Sequence, residues 1–289
     1  MEHTPKDTVV IYHAQCTDGF GAAYAAWKKF GESASYIPLK TQVECPEGLT
    51  GKTLYILDYS FDHDTLLRLR ERNDVVVVID HHASAEAAVT SFPENVFAHD
   101  HSGAVLAWQY FHKDTEVPEL LRYVEDHDLW RFALPDNRAF NAALGLYEYD
   151  LATWDRLTED LRDPHFRAQF IERGEAIAQF EDRLVDQLLT YRERVHFAGH
   201  EVWALNASRT YRSILGHRLA SLNEEVGGIA LGIVYYRNQG GVHISLRSNG
   251  DVDVAALAQK YGGGGHKNAA SIRVPSFADL PFSYLEERG

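Results

Sequence analysis

Asp80, His81 and His82 follow directly on the run Val75-Val76-Val77-Val78-Ile79. Five β-branched apolar residues make a strand buried on both faces. Where that strand surfaces, the chain switches to one carboxylate and two imidazoles. Two other apolar runs end in the same way. Val9-Val10-Ile11-Tyr12 is followed by His13 and then Asp18, and Leu54-Tyr55-Ile56-Leu57 by Asp58. A lone His at a strand end is more often a hydrogen-bonded surface residue than a ligand. Six such residues at the ends of three strands are a different matter. In an open parallel sheet, ligands gather outside the carboxyl ends of the strands. Imidazole and carboxylate together suit Mn²⁺, Zn²⁺ or Fe²⁺. Two such ions about 3.5–4 Å apart suit phosphate ester hydrolysis, because one activates a water and both screen charge on the phosphate oxygens.

Those residues need a sheet to position them. Residues 8–13, 35–39, 53–58 and 74–80 read as strands, and 19–30, 63–72, 104–112 and 120–127 as helices. The alternation predicts an α/β fold with a parallel, doubly wound sheet. Residues 150–196 carry many charges and few β-branched residues. Their apolar positions (Phe166, Phe170, Ile177, Phe180, Leu184 and Leu188) have helical spacing. They predict one or two long helices leading to a smaller α+β domain. In that domain, strands at 202–205, 229–237 and 242–248 accompany a helix at 214–225, with Asn238-Gln239-Gly240-Gly241 as a hairpin turn. The expected division is 1–150, 151–196 and 197–289. A short helix at 254–261 runs into Gly262-Gly263-Gly264-Gly265-His266-Lys267.

The 289 residues carry 28 basic and 42 acidic side chains, a net charge of −14. That balance argues against a long duplex nucleic acid, whose binding draws on phosphate neutralisation. It leaves room for a small phosphorylated substrate in a local basic pocket. Only Cys16 and Cys45 are present, so no disulfide framework is expected. No apolar run has the roughly 20 residues of a membrane span. The start, Met1 to Asp7, lacks the pattern of a secretion signal. A cytoplasmic location and no membrane partner are expected.

The Asp80-His81-His82 triplet, in this order and context, resembles the DHH phosphoesterase superfamily. Its first motif is similar to His13-Ala14-Gln15-Cys16-Thr17-Asp18-Gly19, its second to Leu57-Asp58-Tyr59, and its fourth to the helix end that holds Asp126. The run from Gly262 to Ala270 resembles the marker of the associated DHHA1 domain. The resemblance implies a metal-binding catalytic DHH domain, a helical linker and a DHHA1 substrate-binding domain. It implies two divalent ions, most often Mn²⁺, with His13, Cys16 and Asp58 at one and Asp18, Asp58, His81 and Asp126 at the other. Asp58 would bridge them. Asp80 would orient an imidazole, and His82 would face the substrate phosphate. Asp128 is the alternative to Asp126. The family usually has Asp where this chain has Cys16. A thiolate there would favour softer ions, and a small buried hydrophobe is an equally weighted reading.

The glycine run permits close backbone approach, and successive N–H groups can form an anion-binding nest. A flexible turn is the plainer reading. Gly263, Gly264, Gly265, His266 and Lys267, with Arg247 on the preceding strand, are the expected substrate contacts. His99-Asp100-His101-Ser102 reads first as a helix cap, and Asp62 likewise. The expected activity is metal-dependent hydrolysis of phosphodiester bonds in short oligonucleotides or dinucleotides. Polyphosphate or pyrophosphate hydrolysis and non-catalytic nucleotide binding are the alternatives. The partner would be a small phosphorylated molecule or a short single strand, with room for a homodimer.

Overall fold

A computed structural model describes residues 7–40 and 43–285; Met1 to Lys6, part of the stretch inspected for a secretion signal, lie outside them. Contacts divide the chain into two compact units, the first ending at Ala178 and the second starting at Gln179.

In the first unit the elements run β1 (Thr8–His13), α1 (Thr17–Phe30), β2 (Ala34–Leu39), β3 (Thr53–Leu57), α2 (His63–Arg72), β4 (Val75–Asp80), α3 (Glu86–Thr90), β5 (Asn95–Phe97), α4 (Gly103–Phe111), α5 (Glu119–Asp128), α6 (Asn137–Leu144), α7 (Leu151–Asp160) and α8 (Pro164–Leu189). The five strands pair in the order β2-β1-β3-β4-β5, all parallel. Strand alternation feeds two cores. Val10, Val77 and Ile79 pack with α1, α4, α5 and α7, while Val9, Ile11, Val76 and Val78 pack with α2 and α3. The sheet is therefore covered on both faces, as the all-apolar β4 requires. Asp62 caps α2 by accepting from the Thr65 N–H at 2.8 Å, and Asp150 caps α7 in the same way. On α1, a Cβ at Gly21 would stand 2.8 Å from the Ala104 Cβ, so α1 and α4 pack closely.

The charged stretch expected to link two domains is divided between two cores. α7 buries Trp154 and Leu157, and the start of α8 buries Phe170 and Ile171, all in the first unit. The end of α8 places Val185 and Leu189 in a core of the second unit. Phe180, between them, is exposed.

The second unit adds β6 (Glu193–Phe197), β7 (His200–Asn206), α9 (Arg212–Glu225), β8 (Leu231–Asn238), β9 (Gly241–Ser248), α10 (Val254–Gln259), β10 (Gly264–His266), β11 (Ala269–Val274) and β12 (Phe282–Tyr284). Its sheet has the order β10-β11-β9-β8-β7-β6-β12. Only β7 and β8 pair in parallel. The expected hairpin joins β8 and β9, with Asn238 opposite Gly241 and Gly241 at φ 114°, a conformation that suits glycine. Among the described residues no helix is long and apolar enough to cross a membrane.

Candidate metal centre

His13, Asp58, Asp80, His81 and His82 sit where strands of the first sheet end. His13 closes β1, and Cys16 precedes α1. Asp18, in the first turn of α1, is 1% exposed. Its carboxylate accepts from the Gly103 N–H at 2.7 Å and the Ala104 N–H at 3.0 Å. The positive end of α4 thus steadies a buried charge. Gly19 must be glycine, since a Cβ there would lie 2.3 Å from the His13 carbonyl oxygen.

Asp58 is the first residue past β3. It adopts a left-handed φ of 51°, which costs energy for a non-glycine residue. Its N–H donates to the Ile79 carbonyl at 2.8 Å, tying the turn to β4. The carboxylate is 1% exposed. One oxygen lies 3.4 Å from His13 Nδ1, the other 3.2 Å from His81 Nε2. Neither oxygen has a partner in hydrogen-bond geometry, and nor does His13 Nδ1. Gly103 leaves the space Asp58 occupies, since a Cβ there would stand 2.5 Å from the Asp58 Cβ.

Asp80 has another task. Its Oδ1 accepts from the backbone N–H of His81 at 2.8 Å and of His82 at 3.2 Å, and lies 2.7 Å from His82 Nδ1. It holds the turn and fixes the His82 ring, an arrangement familiar behind metal sites. His13, Asp58, Asp80 and His82 line a cavity of about 190 Å³. A larger cavity, about 400 Å³ beside Arg68 and Arg72, contains none of these groups.

The fourth motif brings a correction. Asp126 is buried, and its carboxylate accepts from the N–H groups of Ala133 (2.9 Å) and Leu134 (3.1 Å) and from Asn137 Nδ2 (2.6 Å). It anchors the loop after α5. Asp128 takes the place expected of Asp126, with its Oδ2 3.6 Å from His81 Nε2. Residues i and i+2 on a helix point about 200° apart, so only one of the two reaches the cluster.

Donor atoms of His13, Cys16 and Asp58 lie within 4.8 Å of one another, and so do those of Asp18, His81 and Asp128. The electrostatics match this crowding. Burial, then Asp58 and Asp128, raise the Asp18 pKa. Burial and Asp58 raise that of Asp128. Burial opposes ionisation of Asp58 too, but His13 and His81 hold its pKa below the usual carboxylate range. His82 is pushed up to about 10: burial lowers it, but Asp80 and Asp58 more than offset this. The Cys16 thiol is raised by burial and by Asp58. Concentrated negative charge with unpartnered oxygens and mixed N, O and S donors fits divalent cations.

The sequence reading missed the role of the α4 start. Ser102 caps α4, with its Oγ 3.4 Å from the Val105 N–H, as expected of the His99–Ser102 segment. The same turn supplies the N–H groups that bind Asp18, a long-range contact that no local spacing announces. His101 pairs with Glu125 at 3.0 Å.

In the second unit, Arg247 is 8% exposed on β9 and donates to the Leu246 carbonyl and to Ser213 Oγ. Ala269, shortly after His266, sits opposite it in the sheet. The glycine run is not a four-membered nest. The N–H groups of Gly262 and Gly263 close α10 on the Gln259 and Ala258 carbonyls, and Gly264 to His266 form β10. A Cβ at Gly263 would lie 2.1 Å from the Ser271 oxygen, and one at Gly265 2.5 Å from the Ala269 oxygen. These two glycines permit strand pairing. Lys267 lies 3.8 Å from Asp251 at the surface.

The DHHA1 domain model matches residues 211–282. Oligoribonuclease NrnB of Bacillus subtilis is 25% identical, over 91% of this chain and 72% of the relative. Cyclic-di-AMP phosphodiesterase PdeA of Listeria monocytogenes is 27% identical, over 69% of this chain and 29% of the relative. The structure of RecJ from Thermus thermophilus, solved in complex with Mn²⁺, superimposes with a TM-score of 0.52 at 17% identity, over 93% of this chain and 50% of that one. The last likeness concerns the fold alone. Together with the motifs, the carboxyl-terminal match and the curated relatives support a likeness to the DHH/DHHA1 phosphoesterase superfamily.

Proposed function

We propose that this protein is a metal-dependent phosphodiesterase that hydrolyses short oligonucleotides or dinucleotides with an activated water. One observation carries the reading: the buried Asp58 carboxylate has two unpartnered oxygens. One is near His13 and the other near His81. His13, Cys16 and Asp58 would hold one divalent ion. Asp18, Asp58, His81 and Asp128 would hold a second, for which oxygen-rich donors favour Mn²⁺. When bound, such a pair lowers the pKa of a water and neutralises charge on the phosphate oxygens. The protein groups do the rest. Asp80 holds His82 through Nδ1, so the ring presents Nε2 to a phosphate or ester oxygen. The α4 amides hold the Asp18 carboxyl in place. Arg247, with His266 and Lys267, would hold a further part of the substrate.

The activities named for the oligoribonuclease and the cyclic dinucleotide phosphodiesterase relatives support a short nucleotide substrate. The acidic net charge supports it over a long duplex, and a cytoplasmic location is part of the same proposal. The test is a hydrolysis panel with Mn²⁺: a dinucleotide, a short RNA, a cyclic dinucleotide, a 3′-phosphorylated nucleotide and polyphosphate. Mononucleotide release from the dinucleotide or the RNA is expected. Turnover of polyphosphate alone would overturn the substrate class. Metal binding without any turnover would make the chain a nucleotide-binding protein.

A further inference from the structure

Away from the metal centre, the first unit holds a cavity of about 400 Å³ between α2 and the loop 45–50 that leads towards β3. Cavities of about 300–1,000 Å³ enclose small organic ligands. The loop is pinned where it meets α2. Asn73 Nδ2 donates to the Leu49 carbonyl at 3.1 Å, and Asn73 Oδ1 accepts from the Lys52 N–H at 3.0 Å. The Gly51 N–H reaches the Arg72 carbonyl at 2.8 Å. Leu49 and Leu69, both buried, give the cavity an apolar wall. Arg68 and Arg72 stand on its open side, one turn apart on α2, so their side chains are neighbours. Among the described residues neither forms an ion pair, whereas Arg70 between them pairs with Glu94 at 3.5 Å. Arg68 is steadied by the Thr65 hydroxyl, which accepts from its Nη2 at 2.6 Å and donates to Asp62 Oδ2 at 2.9 Å. Cys45 and Glu47 line the cavity from the loop.

We propose that this cavity binds a nucleoside monophosphate, at a site separate from the metal centre and coupled to it. Two guanidinium groups one turn apart suit the oxygens of one phosphate group. The Glu47 carboxylate suits ribose hydroxyls, which need an acceptor. The wall of Leu49 and Leu69 suits the face of a base. With Glu47 beside them, the two arginines leave little excess positive charge, which favours one phosphate over a chain of them. A nucleoside monophosphate is the product of the activity proposed above, and that part of the inference rests on the phosphodiesterase reading. The coupling runs through packed side chains. Cys45 packs against the core that contains Tyr59. The Tyr59 hydroxyl donates to the Lys40 carbonyl at 3.4 Å, and its ring lies 6.4 Å from the His13 ring. Asp58 directly precedes Tyr59. A ligand against the loop therefore bears on two of the residues expected to hold metal.

The test uses the intact chain in EDTA, with AMP as the probe. The readout is the rate of Cys45 alkylation by iodoacetamide, followed by peptide mass spectrometry, each variant being compared with its own AMP-free rate. AMP should slow Cys45 alkylation. Arg68→Gln and Arg72→Gln should each raise the AMP concentration needed by about 10–150-fold, the worth of one charge-assisted hydrogen bond. Arg70→Gln is the control, since that guanidinium is paired with Glu94; its titration should match the unmodified chain. No protection by AMP, or protection that survives in the Arg68→Gln, Arg72→Gln double variant, overturns the site. Protection lost in Arg247→Ala places the nucleotide in the second unit and overturns it too. Inorganic phosphate should protect far less well than AMP; equal protection makes the cavity a simple anion site and overturns the nucleotide assignment. After EDTA is removed, AMP should shift Mn²⁺ affinity at least about fivefold in the unmodified chain and not in the double variant. An unchanged Mn²⁺ affinity with Cys45 protected, or a shift that persists in the double variant, overturns the coupling. Protection of Cys45 without phosphodiester turnover in Mn²⁺ would sink the catalytic reading and leave the site standing, and turnover without protection would do the reverse.

Discussion

The two candidate regions gather opposite charges. In the first unit, Asp18, Asp58, Asp80 and Asp128 crowd the carboxyl ends of β1, β3 and β4 with three imidazoles and a thiol. In the second, arginines lie around β9, and among the described residues no carboxylate forms an ion pair with Arg247. Each cluster holds groups that resist ionisation. The Asp18 and Asp128 carboxyls are raised by burial and neighbouring carboxylates, and the Arg247 guanidinium is lowered to about 10 by burial and Arg212. A site built of one sign is completed by a ligand of the other. Acids in low dielectric favour cations, and buried arginines favour phosphates. The net charge of −14 averages over both and describes neither.

The comparison breaks most sharply at Asp58. Asp58→Ala should lower kcat/KM at least about 10³-fold, roughly 4 kcal/mol, and reduce bound metal, with the fold retained by circular dichroism. More than a few per cent of residual activity in metal-saturated protein would remove Asp58 from a shared position. Next comes the pair at the end of α5. Asp128→Ala should lose metal with little change in denaturation midpoint. Asp126→Ala should keep metal and lose about 2–3 kcal/mol of stability, because three donors would be left without their charged acceptor. The opposite pattern in metal analysis and denaturant melts would restore Asp126 as the ligand.

On the cationic side, Arg247→Ala should reduce kcat/KM for a dinucleotide by about 10–150-fold, the worth of one charge-assisted hydrogen bond. Metal content by elemental analysis should be unchanged; a loss of metal would erase the division of labour between the two regions. The smallest effect is expected at Cys16. Cys16→Asp should raise Mn²⁺ affinity several-fold at the expense of Zn²⁺. In the unmodified chain, Co²⁺ should show a thiolate charge-transfer band that Cys16→Ser abolishes. Identical spectra would place the thiol outside the ligand set.

Much of the first sheet was legible because its strands are near-continuous apolar runs. β1 matches the expected 8–13 and α2 the expected 63–72. β5, three residues long, and α6 were not read, since short elements carry too few positions to show a period. The stretch 151–196 looked like a linker because it carries many charges and few β-branched residues. Only packing shows that Trp154 and Phe170 belong to one core and Val185 and Leu189 to another.

At the site, the sequence by itself determined which chemistry was present. Asp and His at the ends of β-branched runs must emerge on one edge of a parallel sheet, because strand direction and side-chain alternation leave no other place. The tertiary structure decided which of those groups meet. Asp126 and Asp128 differ only in the rotational phase of α5, which is set by how that helix packs. Gly263 and Gly265 had the composition of a phosphate nest, yet their missing side chains are needed where β10 meets β11. The amides of Gly103 and Ala104 reach Asp18 across 85 positions or more of chain. Local propensity is written in neighbouring residues, whereas contacts at that separation exist only once the helices have closed over the sheet.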